Sequence, residues 1–423
     1  MILYNLFPLL VGPFARWPEH FARAAGMNFD WVFINPIQQL GASRSLYSIA
    51  DYFRFNPALL DLQSKASPDE QVRQMIDQAH SAKLQVMIDL VINHCAIDSP
   101  LTREHPEWFA HEPDGKIVHS SAMDKDKKVV WADLAQLDYR STRDPEGLYR
   151  YVLSVVEKLL GLGFDGFRCD AAYQVPRAFW ERLIKEVKSR HPETCFAAET
   201  LGCSADQTLD TARAGFDYVF NSSKWWDLSE SWLIEQYCLL RETTRSISFP
   251  ESHDTPRLGE EMHGNVNGLK QRYLFAALFS AGVMMPIGFE YGFRKALNVV
   301  STTPADWEQP AVDLGPYITK ANAIKREHEV FNEESHFNLL PASNPNILLM
   351  WKASAKGKEE ALLILNKDIS QHQEFQCDNF RQYVQAGAPL RDVSPEYPLD
   401  YIHEPFHYAL RPGQGIVLVT SRS

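Results

Sequence analysis

The chain of 423 residues has neither a long apolar run nor an excess of basic residues. No uninterrupted apolar stretch approaches the roughly 20 residues that a membrane span requires. The formal net charge of -12 disfavours DNA, RNA and anionic membrane surfaces as main partners, because these bind to concentrated basic faces. We therefore expect no nucleic-acid partner and no membrane partner, and a neutral substrate suits this charge balance.

Cysteine motifs and a recognisable leader segment are also missing. The six cysteines show no CxxC spacing, and several lie within apolar runs, so buried and reduced thiols are expected rather than disulfides. The apolar N-terminal segment MILYNLFPLLVGPFARW has no basic leader and no A-x-A-like cleavage site. We interpret it as a first strand and expect a cytoplasmic location. The cysteines are Cys95, Cys169, Cys195, Cys203, Cys238 and Cys377.

Eight short apolar segments alternate with amphipathic helix-like stretches over most of the chain. This alternation predicts an α/β fold, namely a closed (β/α)8 TIM barrel. The predicted strands are Ile2–Phe7, Trp31–Asn35, Gln85–Val91, Gly166–Asp170, Cys195–Glu199, Tyr218–Asn221, Ser246–Pro250 and Val283–Gly288. The predicted helices are Trp17–Ala25, Ser67–Ala82, Glu146–Leu160, Pro176–Ser189, Asn267–Phe279 and Tyr317–His328.

Two regions depart from this alternation. The connection after the third strand, residues 94–143, is far longer than usual, and long loops in compact domains are usually functional, so we expect a small subdomain over one side of the site. After about Asn332, strand-like runs separated by turn residues predict a C-terminal antiparallel β domain. The predicted domains are therefore residues 1–332, which include the loop subdomain, and residues 333–423.

Three carboxylates follow separate predicted strands: Asp170, Glu199 and Asp254. One such acid alone is more often a cap or a surface residue. Three of them at strand ends suit a barrel, which presents catalytic side chains at the carboxyl ends of its strands. Cleavage of a glycosidic bond with retention needs one carboxylate as nucleophile and one protonated acid for the leaving oxygen.

Arg168 lies two residues before Asp170, so the two side chains share one face of a strand. Its fixed charge predicts that Asp170 stays ionised and acts as the nucleophile. Glu199 has no cation beside it in sequence, so burial and Asp170 are expected to raise its pKa toward that of a general acid. Asp254 is expected to bind sugar hydroxyls in the transition state.

Four ordered motifs together resemble glycoside hydrolase family 13, the α-amylase family. They are DLVINH at 89–94, GFRCDAA around Asp170, the segment ending at Glu199, and Ser-His-Asp at 252–254. The resemblance implies α-glucosidic substrates, double displacement, Asp170 as nucleophile, Glu199 as general acid/base and Asp254 as transition-state stabiliser. It also implies sugar contacts by Tyr47, His94, Arg168 and His253.

Finer similarity is to maltosyltransferase-type members of that family. It rests on HPEWFAHEPDG at 105–115, AGFDYVFNSSKWW at 214–226 and PIGFEYG at 286–292. One departure concerns the residue after the nucleophile, which is commonly Asn in the members that use maltose 1-phosphate and is Ala171 here, as in hydrolases. A phosphate-bearing donor would need basic groups, for which Arg44, Lys224, Arg257 and Arg294 are the candidates.

Two further positions bear on metal and sugar binding. The segment after Asp170 reads AAYQ where many calcium-dependent amylases have a Lys-His pair, so no cofactor is expected, although Asn93 could help to hold calcium. Trp225 or Trp226 could stack on a sugar ring, with Trp225 as the candidate, but large aromatics more often fill a core.

The expected function is retaining hydrolysis of α-1,4-glucosidic bonds in α-glucans or maltooligosaccharides. Water as acceptor gives hydrolysis, whereas a sugar hydroxyl or phosphate gives transfer by the same machinery, so an α-1,4-glucan maltosyltransferase or another transglycosylase is the alternative. Ala171 favours hydrolysis slightly. An inactive glycan-binding relative is a third hypothesis, against which all three acids stand.

Overall fold

Eight parallel strands close into a barrel in the computed structural model, which describes residues 1–124, 127–385 and 389–421. Each strand pairs with its neighbours in chain order, and each overlaps one predicted segment. The predicted (β/α)8 barrel is therefore confirmed. The strands are β1 Ile2–Leu6, β2 Trp31–Ile34, β3 Gln85–Leu90, β4 Gly166–Cys169, β5 Cys195–Ala198, β6 Tyr218–Phe220, β7 Arg245–Ser248 and β8 Gly282–Pro286.

One longer helix follows each strand. They are α1 Trp17–Gly26, α2 Pro68–Ser81, α3 Pro145–Leu162, α4 Arg177–Arg190, α5 Ala205–Ala212, α6 Trp232–Leu240, α7 Val266–Phe279 and α8 Gly315–Glu327. Six of them match the predicted helices, whereas α5 and α6 have no counterpart among the predictions. The sequence of α6, WLIEQYCLL, is apolar on most sides and gives little helical periodicity, and α5 is only eight residues long.

Local capping residues fix several helix ends. The Ser67 hydroxyl accepts a hydrogen bond from the Glu70 amide, while the Glu70 carboxylate accepts one from the Ser67 amide at 2.6 Å. This reciprocal cap starts α2 with Pro68 in its first turn, as predicted. Pro176 lies one position outside the predicted place, because it precedes the first helical residue of α4.

The barrel interior is apolar except at the carboxyl ends of the strands. Side chains alternate between the lumen and the helix layer, so Met87 and Ala197 lie in the lumenal cluster. Two residues further along β3 and β5, the same alternation brings Asp89 and Glu199 to the rim of the lumen. Apolar side chains therefore fill the lumen, and charged side chains lie at the carboxyl ends of the strands. A barrel of this kind carries its active site at that end.

The long connection after β3 forms a lid of antiparallel strands. Strand Lys127–Gln136 pairs on one side with His94–Ala96 and on the other with His119–Asp124. A short helix, Leu101–Glu104, lies in the same connection, and a separate hairpin, Gln38–Leu40 with Ile49–Phe55, follows β2. The predicted loop subdomain is thus a lid sheet anchored at the exit of β3.

From His336 onward the strands pair antiparallel. Five strands form one sheet in the order His336–Leu340, Ile347–Ala353, Glu359–Asn366, Gly415–Ser421 and Arg391–Asp392. A second pair consists of Gln373–Cys377 and Phe406–Leu410. This part of the fold agrees with the predicted C-terminal antiparallel β domain.

Helix α7 packs between the barrel and the C-terminal sheet. Ten of its residues are buried, which fits a helix covered on both sides. Phe279 at its end meets Phe337 edge to face, with ring centroids 5.3 Å apart. The buried Lys352 ammonium donates to the Phe279 carbonyl at 2.8 Å, so a lysine of the sheet caps the carboxyl end of the helix.

All six cysteines are unpaired, and four of them are buried, as expected for thiols that pack as small apolar groups. Within the described ranges, no helix combines the length and the apolar character that crossing a bilayer would require.

Lys352→Ala should lower the free energy of unfolding by about 2 kcal/mol, because it leaves buried carbonyl groups at the end of α7 without a donor. Burial lowers the pKa of Lys352 to about 8, so this lysine is still charged at neutral pH. Urea unfolding at pH 7 measures the difference. Lys356→Ala, at an exposed turn of the same sheet, serves as control. Equal losses in both variants would contradict a capping role.

Candidate active site

A cavity of about 570 Å³ opens at the carboxyl ends of the barrel strands. Pockets of this size commonly hold small molecules. Seven of the eight site residues expected from the sequence line this cavity, and His253 lies directly behind it. The seven are Tyr47, His94, Arg168, Asp170, Glu199, Trp225 and Asp254.

The Arg168 guanidinium lies at the base of the cavity among carboxylates. Its Nη1 is 2.7 Å from Asp170 Oδ1 and 2.9 Å from Asp89 Oδ1. Its Nη2 is 3.9 Å from Glu199 Oε2. The side chain is buried over the Phe33 ring, so few water molecules compete for its charge. Asp170 and Glu199, which come from neighbouring strands, therefore share one cation.

Asp89 is a site residue that the sequence analysis quoted in a motif but did not assign. Strand register pairs it with Arg168 across β3 and β4, and both of its carboxyl oxygens accept from Arg168 Nη1. Burial raises the pKa of Asp89 to about 6 even though Arg168 lowers it. An acid at an alternating position in the apolar run Gln85–Leu90 is the signal that could have identified it.

Glu199 is held by two backbone amides. Ala171 N donates to Oε2 at 2.8 Å and Leu201 N donates to Oε1 at 2.6 Å. Burial raises the pKa of Glu199 to about 7, with Asp170 adding to the rise and Arg168 opposing it. At neutral pH this carboxyl group is therefore poised between its protonated and ionised forms.

The turn that follows Asp170 is strained. Ala171 has φ 40° and ψ 46°, a left-handed conformation that residues with a Cβ rarely adopt. In this conformation the Ala171 amide donates to Glu199. The strain therefore accompanies a direct link between the loop after β4 and the acid at the end of β5.

A chain of close polar contacts runs from Asp254 to Asp89 on the other side of the cavity. His253 Nε2 lies 3.0 Å from Asp254 Oδ2 and 2.6 Å from the Tyr47 hydroxyl. That hydroxyl donates to Asp89 Oδ2 at 2.6 Å and accepts from Asn35 Nδ2 at 3.0 Å. The rings of Tyr47 and His253 are stacked 5.8 Å apart, so the two side chains fix each other.

His94 lines the cavity as a buried ring. Its Nε2 lies 3.1 Å from the Tyr47 carbonyl oxygen, which can only accept, so the proton is on Nε2. Burial lowers the pKa of His94 and favours the neutral ring. Its Nδ1 has no hydrogen-bond partner in the described protein. This nitrogen is itself buried, so it is an acceptor that the protein leaves without a donor.

The two neighbouring tryptophans after β6 point in opposite directions. Trp226 is fully buried, and its indole NH donates to the Glu230 carbonyl at 2.6 Å. Trp225 is 53% exposed and lines the cavity. Trp226 is thus a core residue and Trp225 is a cavity residue, whereas the sequence alone had allowed either tryptophan to contact a sugar.

Other cavity residues were missed by the sequence analysis, among them Trp131 on the lid and Tyr173 and Gln174 after Asp170. The AAYQ segment was noted only for the pair that it lacks. Trp131 lies in a strand whose neighbours are mostly exposed, so no periodic pattern in the sequence marked it.

Asn93, the residue that the sequence analysis offered for calcium, lines the cavity. Asn93 Oδ1 is buried without a hydrogen-bond partner, but calcium takes about six to eight oxygen ligands, commonly with carboxylates. In the part of the chain that the structure describes, no group of three or more His, Cys, Asp or Glu side chains could hold a metal ion. The expectation of no cofactor stays a prediction.

Comparison with known proteins identifies relatives among glucan-transferring enzymes. Residues 2–112 match the family model of the glucanotransferase domain of glycogen debranching enzyme. The α-1,4-glucan:maltose-1-phosphate maltosyltransferase of Burkholderia pseudomallei is 27% identical over 386 residues, covering 87% of this chain and 33% of that protein. The enzyme of the same name from Mycobacterium tuberculosis is 29% identical over 407 residues, covering 84% of this chain and 55% of that protein. The chain thus spans about a third to just over half of their length.

Solved structures share the fold over the whole chain. An α-amylase from Lactobacillus plantarum superposes with a TM-score of 0.77 at 21% identity, covering 99% of this chain and 98% of that one. A trehalose-6-phosphate hydrolase from Bacillus licheniformis superposes with a TM-score of 0.78 at 14% identity, covering 100% and 99%. With this barrel and these sequence relatives, the chain is similar in sequence and fold to glycosidases and transglycosidases of the α-amylase family, glycoside hydrolase family 13.

Proposed function

We propose that the protein is a retaining α-1,4-glucan transglycosylase, which moves a short unit of about maltosyl size from one glucan chain to another. The observation that carries this proposal is the shared Arg168: it contacts both Asp170 and Glu199, and burial raises the pKa of Glu199 to about 7. One carboxylate is thus supplied with a counter-charge and the other with a proton, which is the division of labour that double displacement needs.

In the first step, Glu199 gives its proton to the glycosidic oxygen as the bond from that oxygen to the anomeric carbon breaks. The Asp170 carboxylate attacks the same carbon and forms a β-linked glycosyl ester. In the second step, Glu199 takes the proton of an acceptor hydroxyl, whose oxygen displaces Asp170 and restores the α-linkage. Asp254, Tyr47 and His94 would bind the sugar ring as charge develops on it.

We put transfer ahead of hydrolysis because the curated relatives are named as maltosyltransferases and match 84–87% of this chain. The sequence had favoured hydrolysis slightly on the strength of Ala171. The two outcomes differ only in whether water or a sugar hydroxyl reaches the glycosyl ester. Hydrolysis therefore stays the second candidate.

We propose a neutral glucan as donor, although the names of these relatives include maltose 1-phosphate. Among the described residues, Arg168 is the one lysine or arginine that lines the cavity, and it is already paired with acids. The sequence-based candidates for a phosphate contact are otherwise engaged or outside it. Lys224, Arg257 and Arg294 each pair with a glutamate, and Arg44 does not line the cavity.

Time-resolved product analysis tests which acceptor and which donor the protein uses. Maltoheptaose alone should yield chains both shorter and longer than itself, because the glycosyl ester is passed to a second glucan. Exclusively shorter products would favour hydrolysis. A parallel reaction with maltose 1-phosphate and maltoheptaose should release no phosphate, and phosphate release with chain growth would favour the phosphate donor instead.

Asp170→Asn should lower the transfer rate about a thousandfold or more, because an amide cannot form the glycosyl ester. Initial rates with maltoheptaose measure the loss. Asp114→Asn, which changes an exposed lid carboxylate in the same way, should leave the rate unchanged. Equal rates for wild type and Asp170→Asn would remove Asp170 from the mechanism, and a wild-type protein that binds but never converts glucans would favour a binding role.

The rate should depend on pH through Glu199. Because burial raises its pKa to about 7, the protonated acid is lost above that pH, and kcat/KM for maltoheptaose should fall about tenfold per pH unit there. Maltosyl fluoride provides the control, because fluoride leaves without a proton and its kcat/KM should not show this fall. The same alkaline fall with both donors would argue against Glu199 as the acid.

A further inference from the structure

Two tryptophans stand apart from the rest of the chain. Trp131 and Trp225 are the two most exposed of the ten tryptophans, with exposed fractions of 41% and 53%. The other eight are buried or half-buried. Both exposed indoles line the cavity that holds the three acids. Large apolar side chains left open to water at one cavity indicate a binding surface.

Trp131 is presented by the lid. It lies on strand Lys127–Gln136, in which Val129, Trp131 and Asp133 alternate and all line the cavity. The neighbouring lid strand adds Ser120 and Ala122 to the same lining. One face of the lid sheet therefore looks onto the cavity, and the indole is its largest group.

Trp225 is presented by the barrel. It ends the short helical turn Ser223–Trp225 after β6 and meets the Phe249 ring edge to face, with centroids 6.1 Å apart. This contact holds the side chain in place while more than half of it stays exposed. The two indoles thus come from independent elements, the lid after β3 and the loop after β6.

The chemistry of the surroundings suits a neutral sugar. Apolar residues such as Leu201 and Val300 also line the cavity. Among the described residues, Arg168 is the one lysine or arginine in this lining, and its charge is paired with carboxylates. A glucosyl ring carries hydroxyl groups at its edge and C–H groups on its faces, so an indole can cover a face while polar groups bind the edge.

We propose that Trp131 and Trp225 are specificity-determining residues that stack on two different glucosyl units of a neutral α-1,4-glucan. This inference rests on the proposed function and extends it to chain length. The lid then contributes directly to substrate selection, and the preferred glucan is one long enough to reach both indoles.

The test compares kcat/KM over the series from maltotriose to maltoheptaose. In the wild type, kcat/KM should rise at each length whose added ring reaches an indole. Trp131→Ala should remove one of these rises, about tenfold, and Trp225→Ala should remove a different one. Trp131→Phe should retain most of the effect, and Tyr401→Ala, at a highly exposed aromatic of the C-terminal region, should change nothing.

Two results would overturn the inference. One is a Trp131→Ala profile that coincides with the wild type, and the other is an equal loss at every length including maltotriose, which would indicate a general structural effect. Thermal melting of each variant checks that it is folded.

Binding separates this inference from the proposed function. In the Asp170→Asn background, calorimetry with maltoheptaose should show affinity about tenfold weaker after Trp131→Ala and little changed for maltose. Unchanged maltoheptaose affinity would reject the stacking role of Trp131 even if transfer is observed. Weakened affinity without any wild-type turnover would support the stacking role and reject the transferase.

Discussion

The site depends on one buried cation among three carboxylates. Without Arg168, the carboxyl groups of Asp89, Asp170 and Glu199 would meet in a poorly hydrated space, where ionised carboxylates repel each other strongly. With it, the charges are partly balanced, and the position of each carboxyl group is set by its strand. Arg168 lies on β4, which pairs with β3 on one side and with β5 on the other. Its guanidinium therefore lies close to the carboxyl groups that these neighbouring strands present.

The different roles of the two central acids follow from their neighbours. Asp170 receives a charge-assisted hydrogen bond of 2.7 Å from Arg168, whereas the nearest approach of Arg168 to Glu199 is 3.9 Å. Glu199 is therefore less well compensated, and burial dominates its pKa. The strained Ala171 turn couples these two acids, since its amide binds Glu199 one residue after Asp170.

The cavity is built from segments far apart in the chain. The lid contributes the Trp131 face, the hairpin region after β2 contributes Tyr47, and the loop after β7 contributes Asp254. Because these segments are loops on a rigid barrel, their chemistry can differ between relatives while the fold stays the same. A fold shared with amylases is therefore compatible with the proposed transfer of glucan units.

The amino-acid sequence by itself determined the barrel, because eight apolar runs and the helix periodicity between them are local properties. It also determined that Arg168 and Asp170 share one face, since that follows from the period of a strand. Tertiary structure alone decided which cations are left for a substrate, how Asp89 joins Arg168, and which of Trp225 and Trp226 is exposed. It also placed Trp131 at the cavity that the acids line. These outcomes depend on contacts between residues distant in the chain, and the free energy of such contacts is not encoded in any local pattern.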